Sequence, residues 1–503
     1  MNPTKLISKI FMPRLKEIDL YETQSATIQN NVLCKLLSKS ENTEWGKKFN
    51  YKSIKNYEEF KKKVPVQTYD DIKPYVERTR TGEKNILWPA KIKWFAKSSG
   101  TTNDKSKFLP LSNEALQNIH YKGGVDSVAL YFRLNPESRF FSGKGLILGG
   151  SHTPNYNSPH SLVGDLSAIL IQNVNPLVNL IRVPSKKIAL MSEWESKIEQ
   201  IARSTCKTDV TNLSGVPSWM LVIIKRVLEI TGKQSLEQVW PNLEVFFHGG
   251  VSFAPYREQY QQLIKSEKMH YVETYNASEG FFGIQNDLSD SSMLLMVDYD
   301  IFYEFIPLDE LHKTNPEVHN LENVELNKNY AMLISTSCGL WRYMIGDTVK
   351  FTAKHPYKFV ITGRTKHFIN AFGEEVIIDN AEKALAKACE ETKALITEYS
   401  AAPVFMDNNA KGKHQWLIEF EKLPEDVNKF ATILDETLKE INSDYEAKRY
   451  KDIALQPLEL IVARKNLFHD WLKEKGKLGG QHKVPRLSNT RDYIEEMLVL
   501  NNM

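Results

Sequence analysis

The stretch His270-Tyr271-Val272-Glu273-Thr274-Tyr275-Asn276-Ala277-Ser278-Glu279-Gly280 changes character half-way along. Its first part, 270–274, reads as a strand, and the rest is a small polar segment around one carboxylate and one glycine. Ligands of open α/β sheets bind beyond the carboxyl ends of the strands. Glu279 therefore stands where a carboxylate can hold Mg²⁺ beside phosphates, and Tyr275 where an aromatic ring can stack on a base. Taken alone, the same residues also read as an ordinary strand-to-turn passage with a solvated glutamate.

Working outward, apolar runs at 145–148, 243–247 and 331–335 have the same strand-like look, and helical periodicity lies between several of them, at 193–205 and 217–231. That alternation predicts an α/β architecture with a largely buried sheet. Beyond residue 365 the pattern changes. Val427, Phe430, Ala431, Leu434, Leu438 and Ile441 share one helical face, as do Ala381, Ala384, Leu385, Ala388 and Cys389, with Asp379 placed as an N-cap. Strand-like runs at 403–406, 415–420 and 458–463 accompany them. The division is thus a large domain over 1–364 and a small α+β domain over 365–503.

Composition narrows the class. Lys plus Arg number 65 and Asp plus Glu 62 among 503 residues, a net charge of +3 that excludes an electrostatic case for nucleic acid or anionic lipid. No run of about 18 apolar residues is present, and the first twenty residues read as an amphipathic helix cut by Lys5, Lys9, Arg14 and Lys16. Cys34, Cys206, Cys338 and Cys389 are too far apart for a zinc motif and read as reduced, mostly buried thiols. A cytoplasmic protein is expected.

Four further motifs bear on chemistry. Ser98-Ser99-Gly100-Thr101-Thr102-Asn103-Asp104-Lys105-Ser106-Lys107 follows the strand-like 92–96. Its hydroxyls and backbone N–H groups suit phosphate oxygens and Lys107 adds a point charge, although the composition equally fits a solvated loop, and no Walker A pattern exists. Trp341-Arg342-Tyr343-Met344-Ile345-Gly346-Asp347 offers a tight turn at Gly346 and, in Asp347, a carboxylate able to accept from two ribose hydroxyls. Gly363-Arg364-Thr365-Lys366-His367 lies at the domain boundary as hinge or plain linker. Gly479-Gly480-Gln481-His482-Lys483 is either a loop that delivers a cation or a basic surface loop. A serine hydrolase is disfavoured by the lack of GxSxG, and His152, His160 and Asp165 read better as a polar loop than as metal ligands.

Together, in this order and at these separations, the five motifs resemble the adenylate-forming superfamily. The match is closest to the plant auxin- and jasmonate-responsive acyl-acid amido synthetases and their bacterial relatives. Gly215-Val216-Pro217-Ser218-Trp219, Trp240-Pro241-Asn242, His248-Gly249-Gly250 and Tyr303-Glu304-Phe305-Ile306-Pro307 extend it over most of the chain.

The resemblance implies a fold: a large N-terminal adenylate-forming domain with buried sheets and packed helices, and a small mobile C-terminal domain. It implies that Ser98, Ser99, Gly100, Thr101, Thr102 and Lys107 hold phosphates, that Gly249 and Gly250 line the adenine and acyl region, and that Tyr275 packs on adenine. Ser278 would touch the α-phosphate, Glu279 would hold Mg²⁺, Asp347 would bind ribose, Lys366 would lie at the hinge and Lys483 would be the mobile catalytic lysine. Tyr121, Tyr131, His248 and Phe253 are the candidate acyl pocket. Asp104 departs from the pattern, since many relatives carry a second loop glycine there.

The implied reaction joins a carboxylic acid to ATP, giving acyl-AMP and pyrophosphate, and then passes the acyl group to the amine of an amino acid or similar acceptor. ATP and Mg²⁺ are the implied cofactors, and small-molecule acid and amine the only partners of a monomer. Alternatives are an acyl-CoA ligase and a catalytically silent nucleotide binder; Glu279, Asp347 and Lys483 together speak against the latter.

Overall fold

The computed structural model describes residues 3–99, 106–250, 253, 256–311, 313–365, 368–374, 376–405, 412–449, 455–475 and 484–502. The chain forms two compact units. The first comprises 1–98, 107–250 and 261–365, and the second 99–106, 251–260 and 366–503.

The strands of the first unit are β1 (Trp94–Ser99), β2 (Ser106–Leu111), β3 (Lys144–Ile147), β4 (Leu162–Gly164), β5 (Arg182–Val183), β6 (Val210–Gly215) and β7 (Val245–His248). They continue as β8 (His270–Ala277), β9 (Gly280–Gln285), β10 (Met293–Leu295), β11 (Ile301–Pro307), β12 (Asn329–Thr336), β13 (Tyr343–Lys354) and β14 (Tyr357–Arg364). Eleven of them build one sheet in the order β11-β12-β13-β14-β10-β9-β8-β7-β6-β3-β5, while β2-β1-β4 form a small second sheet.

The large sheet has two halves. β5, β3, β6, β7 and β8 pair in parallel, with the helices Trp194–Thr205 and Pro217–Thr231 in the connections. From β9 onward all pairings are antiparallel. β8 is the seam, parallel to β7 on one side and antiparallel to β9 on the other. Burial follows the runs that the sequence displays: every residue of β7, β9 and β11 is buried, as expected of strands covered on both faces.

Two segments of the quoted family pattern are tied together in this core. Arg342, at φ +45°, reaches Glu304 on β11 through Nε to Oε2 at 2.9 Å and Nη2 to Oε1 at 2.8 Å. It also donates to the carbonyls of Lys61 and Val64. Both side chains are buried, so each charge depends on the other.

In the second unit β15 (Phe368–Ile369) pairs with β16 (Val376–Ile377), and β17 (Leu395–Val404), β18 (Lys413–Lys422) and β19 (Glu459–Ala463) form a three-stranded sheet. The helices Ile378–Thr392 and Val427–Ile441 pack against each other. The second is capped by the Asp426 side chain, which accepts from Asn428 and Lys429 N–H. The first begins at Ile378, which puts Asp379 in its first turn and not at the position before it. The cysteines also differ from expectation. All four are free thiols, but only Cys338 is buried; Cys34 is exposed, and Cys206 and Cys389 are intermediate.

Candidate active site

Ser278 and Glu279 form the two-residue turn of the β8–β9 hairpin, between the paired residues Ala277 and Gly280. A side chain at Gly280 would collide with Phe282 and Ile301, so glycine is what lets the turn sit against the core. Glu279 is largely buried. Its carboxylate acts on Cys338 in the turn after β12. Burial, the larger cause, together with Glu279 pushes that thiol up to about 12, against a lowering by Thr336. The same turn accepts a hydrogen bond from Ser112 Oγ to the Ser337 carbonyl at 2.7 Å.

Asp347 lies beside Gly346, and both are within β13. Sequence reading placed a turn at Gly346. The structure instead places a bulge there: Leu333 pairs with Met344 but Ala331 with Thr348, so β13 carries extra residues between them. Gly346, at φ +94°, supplies the conformation that the bulge requires. Its carbonyl accepts from Thr365 N–H at 2.7 Å. The bulge presents Asp347 to β8, where the Tyr275 hydroxyl donates to Oδ2. The Tyr275 ring is packed by Phe282 at 4.8 Å and Phe359 at 6.1 Å between centroids. It is therefore anchored at its edge and on its flanks.

The two parallel strands that follow β8 in the sheet order, β7 and β6, end at glycines. β6 ends at Gly215, and β7 runs into Gly249 and Gly250, the latter at φ +83°. A Cβ at Gly249 would clash with the Thr274 carbonyl oxygen, and Thr274 Oγ1 donates to the His248 carbonyl at 3.2 Å. The loop after β3 is held from beneath. The buried Lys197 ammonium donates to the carbonyls of Gly149 at 2.6 Å and Gly150 at 2.9 Å. Ser151 N–H donates to Asp165 Oδ2 at 2.7 Å. Burial pulls Lys197 down to about 8, partly opposed by Asp165.

The remaining expected residues are distributed as follows. Ser98 lies on β1. Lys107 lies on β2, its ammonium 6.0 Å from the centre of the Tyr69 ring. The Tyr121 hydroxyl donates to the Leu170 carbonyl at 2.9 Å. Tyr131 is fully buried in an aromatic cluster with Phe132, Phe140 and Phe247, its hydroxyl 3.1 Å from His270 Nδ1. That environment makes Tyr131 a core residue. His248 is buried at the end of β7, and Phe253 belongs to the second unit, against Tyr260. Gly100, Thr101, Thr102, Lys366 and Lys483 lie outside the described residues.

His120 lies in the helical stretch 116–132 that the resemblance assigns to the acyl pocket, although it is not among the residues singled out there. It sits on the π-helical segment Leu116–Tyr121 that leads into the helix Lys122–Leu134. Its Nδ1 is 3.4 Å from Asn276 Oδ1 on β8. A lone histidine in an apolar helix carries no sequence signal of its own; the π geometry, common at functional sites, is visible only in the structure.

The arrangement suits a nucleotide. Glycine-lined strand ends admit close backbone approach, Asp347 is a fixed acceptor, and Glu279 is a carboxylate at the seam strand. No group of three or more His, Cys, Asp or Glu suited to a metal occurs among the described residues. One carboxylate plus phosphate oxygens is nonetheless a normal donor set for Mg²⁺.

Comparison with known proteins agrees. The GH3 family N-terminal domain matches residues 14–269, its central domain 294–364 and its C-terminal domain 379–492. This chain belongs to the GH3 family. Among its relatives, the indole-3-acetic acid-amido synthetase GH3.3 of Arabidopsis thaliana is 25% identical, covering 93% of this chain and 90% of that one. The 4-substituted benzoates-glutamate ligase GH3.12 of the same plant is 24% identical over 97% and 96%. The solved structure of the AtGH3.15 acyl acid amido synthetase with 2,4-DB superposes with a TM-score of 0.62 at 20% identity, over 97% and 95% of the two chains. The adenylate-forming fold extends outside GH3: a 2-hydroxyisobutyryl-CoA ligase superposes with a TM-score of 0.57 at 12% identity, over 95% and 91%.

Proposed function

We propose that this GH3 chain is an ATP-dependent acyl-acid amido synthetase. It adenylates a small carboxylic acid, releasing pyrophosphate, and transfers the acyl group to the amine of an amino acid or similar acceptor, with loss of AMP. The observation that carries the reading is the coupling of Tyr275 to Asp347 beside the Ser278–Glu279 turn, in a chain whose GH3 domain matches run from residue 14 to residue 492. The relatives named as amido synthetases or acid–amino-acid ligases support the choice of amine acceptor.

In this reading Asp347 accepts from the ribose hydroxyls and Ser278 donates to the α-phosphate. Ser98, Ser99, Gly100, Thr101, Thr102 and Lys107 hold the β- and γ-phosphates. Glu279 would hold Mg²⁺, which neutralises charge on the phosphates when bound. A carboxylate is a weak nucleophile that must approach a polyanion, so fixed orientation and local positive charge are what the protein must supply. Lys483 supplies a cation for adenylation, and residues 365–503 act as a mobile domain that turns at Lys366 between the two half-reactions. The protein works as a monomer in the cytoplasm; among the described residues no helix is long and apolar enough to cross a membrane.

The test is product identity. With ATP, Mg²⁺ and a panel of carboxylic acids, mass spectrometry should show an amide when amino acids are added. A thioester with CoA and no amide would transfer the chain to the acyl-CoA ligases.

A further inference from the structure

The chain that follows Lys483 is fastened at several points, and Arg486 is the centre of them. Val484 and Leu487 are buried, Val484 in a core shared with Phe468, Trp471 and Met497. The backbone of the same residues runs beside β17. Ala401 N–H donates to the Arg486 carbonyl at 2.8 Å, and Ser488 N–H to the Ala401 carbonyl at 3.1 Å. Ser400 Oγ donates to the Pro485 carbonyl at 2.7 Å. Asn489 Oδ1 accepts from the N–H of Asn370, four residues beyond Lys366, at 2.5 Å.

The Arg486 side chain spans two elements. Nε donates to Glu398 Oε1 on β17 at 2.9 Å, and Nη1 to Glu382 Oε1 on the helix Ile378–Thr392 at 2.8 Å. The guanidinium carbon also stands 5.3 Å from the centre of the Tyr399 ring. A planar guanidinium with donors in fixed directions can hold two carboxylates at once, a geometry that the single ammonium of lysine does not fix. Arg486 and Glu382 are 39% and 51% exposed, and ion pairs that open to water add little to global stability. What the clip supplies is direction. The chain runs back to Lys483 from a point held by two carboxylates and by a strand. That matters for an electrostatic donor, because misplacement of about 1 Å can cost about 10²-fold in rate.

We infer that Arg486 is a positioning residue for adenylation: by bridging Glu398 and Glu382 it fixes the end of the segment that carries Lys483. The inference rests on the proposed function for the role of Lys483. Arg486 acts through that lysine and not on the substrate.

The experiment uses the full chain and an acid that the wild type activates. Arg486→Gln removes the charge and the fork. The kcat of acid-dependent ATP–pyrophosphate exchange should fall about ten- to hundredfold, with KM for ATP and Tm little changed. Arg486→Lys should retain part of the activity. Amide formation from a chemically prepared acyl-adenylate, a step for which this account does not require the Lys483 cation, should run at the wild-type rate. In a Lys483→Ala background Arg486→Gln should cost nothing further. A residue that merely supports the fold would lower both half-reactions and add to the loss in Lys483→Ala. Hydrogen exchange read by mass spectrometry follows the anchor itself: the amides of 484–488 should exchange faster in Arg486→Gln. Glu398→Gln, which removes one arm of the clip, should give the same pattern more weakly and serves if Arg486→Gln fails to fold.

Wild-type exchange activity in Arg486→Gln, equal losses in both half-reactions, or losses that add to those of Lys483→Ala would overturn the inference. A wild type that exchanges no pyrophosphate with any acid, while the amides of 484–488 still exchange faster in Arg486→Gln, would sink the proposed function and leave the anchor standing.

Discussion

The Tyr275 hydroxyl donates to Oδ2 of Asp347, joining the seam strand of the sheet to a bulge four strands away in the sheet order. One oxygen of the carboxylate is thereby fixed, and with it the plane in which Asp347 meets a ligand. Tyr275→Phe keeps the packing on Phe282 and Phe359 and removes this bond. The expected result is a rise in KM for ATP of about tenfold, with a loss of stability of about 0.5–1.5 kcal/mol. Steady-state kinetics and urea unfolding check the two parts. An unchanged KM would show that Asp347 is oriented by other means.

Gly249 is required by close approach of the backbone. Gly249→Ala places a Cβ on the Thr274 carbonyl oxygen, which cannot retreat without bending β8. A cost of about 1–3 kcal/mol is expected, together with a fall in adenylation, because the displaced strand carries Tyr275, Ser278 and Glu279. Thermal unfolding beside pyrophosphate release measures both.

The buried pair Arg342–Glu304 is structural, although Arg342 sits in the same motif as Asp347. Glu304→Ala leaves the buried guanidinium without its counter-charge, with only backbone carbonyls to accept from it, and should destabilise the first unit by about 3–5 kcal/mol. Chemical denaturation is the readout. A change below about 1 kcal/mol would mean that the backbone carbonyls of Lys61 and Val64 suffice for Arg342.

Lys197 gives the stability a pH dependence of known sign. Its folded-state value is lowered to about 8 from 10.5. Between those values the unfolded chain still holds a proton that the folded chain has released, so this group makes stability rise with pH from about 8 toward 10.5. Relative to Lys197→Met, the wild type should gain about 2–3 kcal/mol over that interval. Denaturation curves at pH 7.5 and 10 measure it. A wild type that loses stability relative to Lys197→Met as the pH rises would contradict the assignment.

Strands and helices were readable where local pattern determines them. Runs such as 243–247 and 331–335 and the helical faces at 217–231 and 427–441 coincide with observed elements, since burial on one or both faces leaves a periodic signature. Strand order was not readable, because the neighbours of β8 and β14 are chosen by contacts far apart in the chain. The bulge at Gly346 was hidden for the same reason: a Gly-Asp pair signals a turn locally, and only pairing with β12 on one side and β14 on the other keeps it in a strand. Phe253 and residues 256–260 belong to the second unit although the chain on either side belongs to the first, a partition that no composition shift announces. Within the site, Glu279 was legible as a carboxylate at a strand end and Asp347 through the Gly-Asp pair that it forms with Gly346. The place of His120 was not, since it is set by Asn276, a neighbour 156 residues away.

The central claim is that this chain activates a carboxylic acid as its adenylate. Acid-dependent exchange of labelled pyrophosphate into ATP tests it most directly, with wild type beside Glu279→Gln and Lys483→Ala. The account predicts exchange that requires both Mg²⁺ and a carboxylic acid and that falls about 10²–10³-fold in Lys483→Ala, with a marked loss in Glu279→Gln as well. Exchange that persists unchanged in both variants, or ATP binding without exchange for any acid across a broad panel, would contradict it.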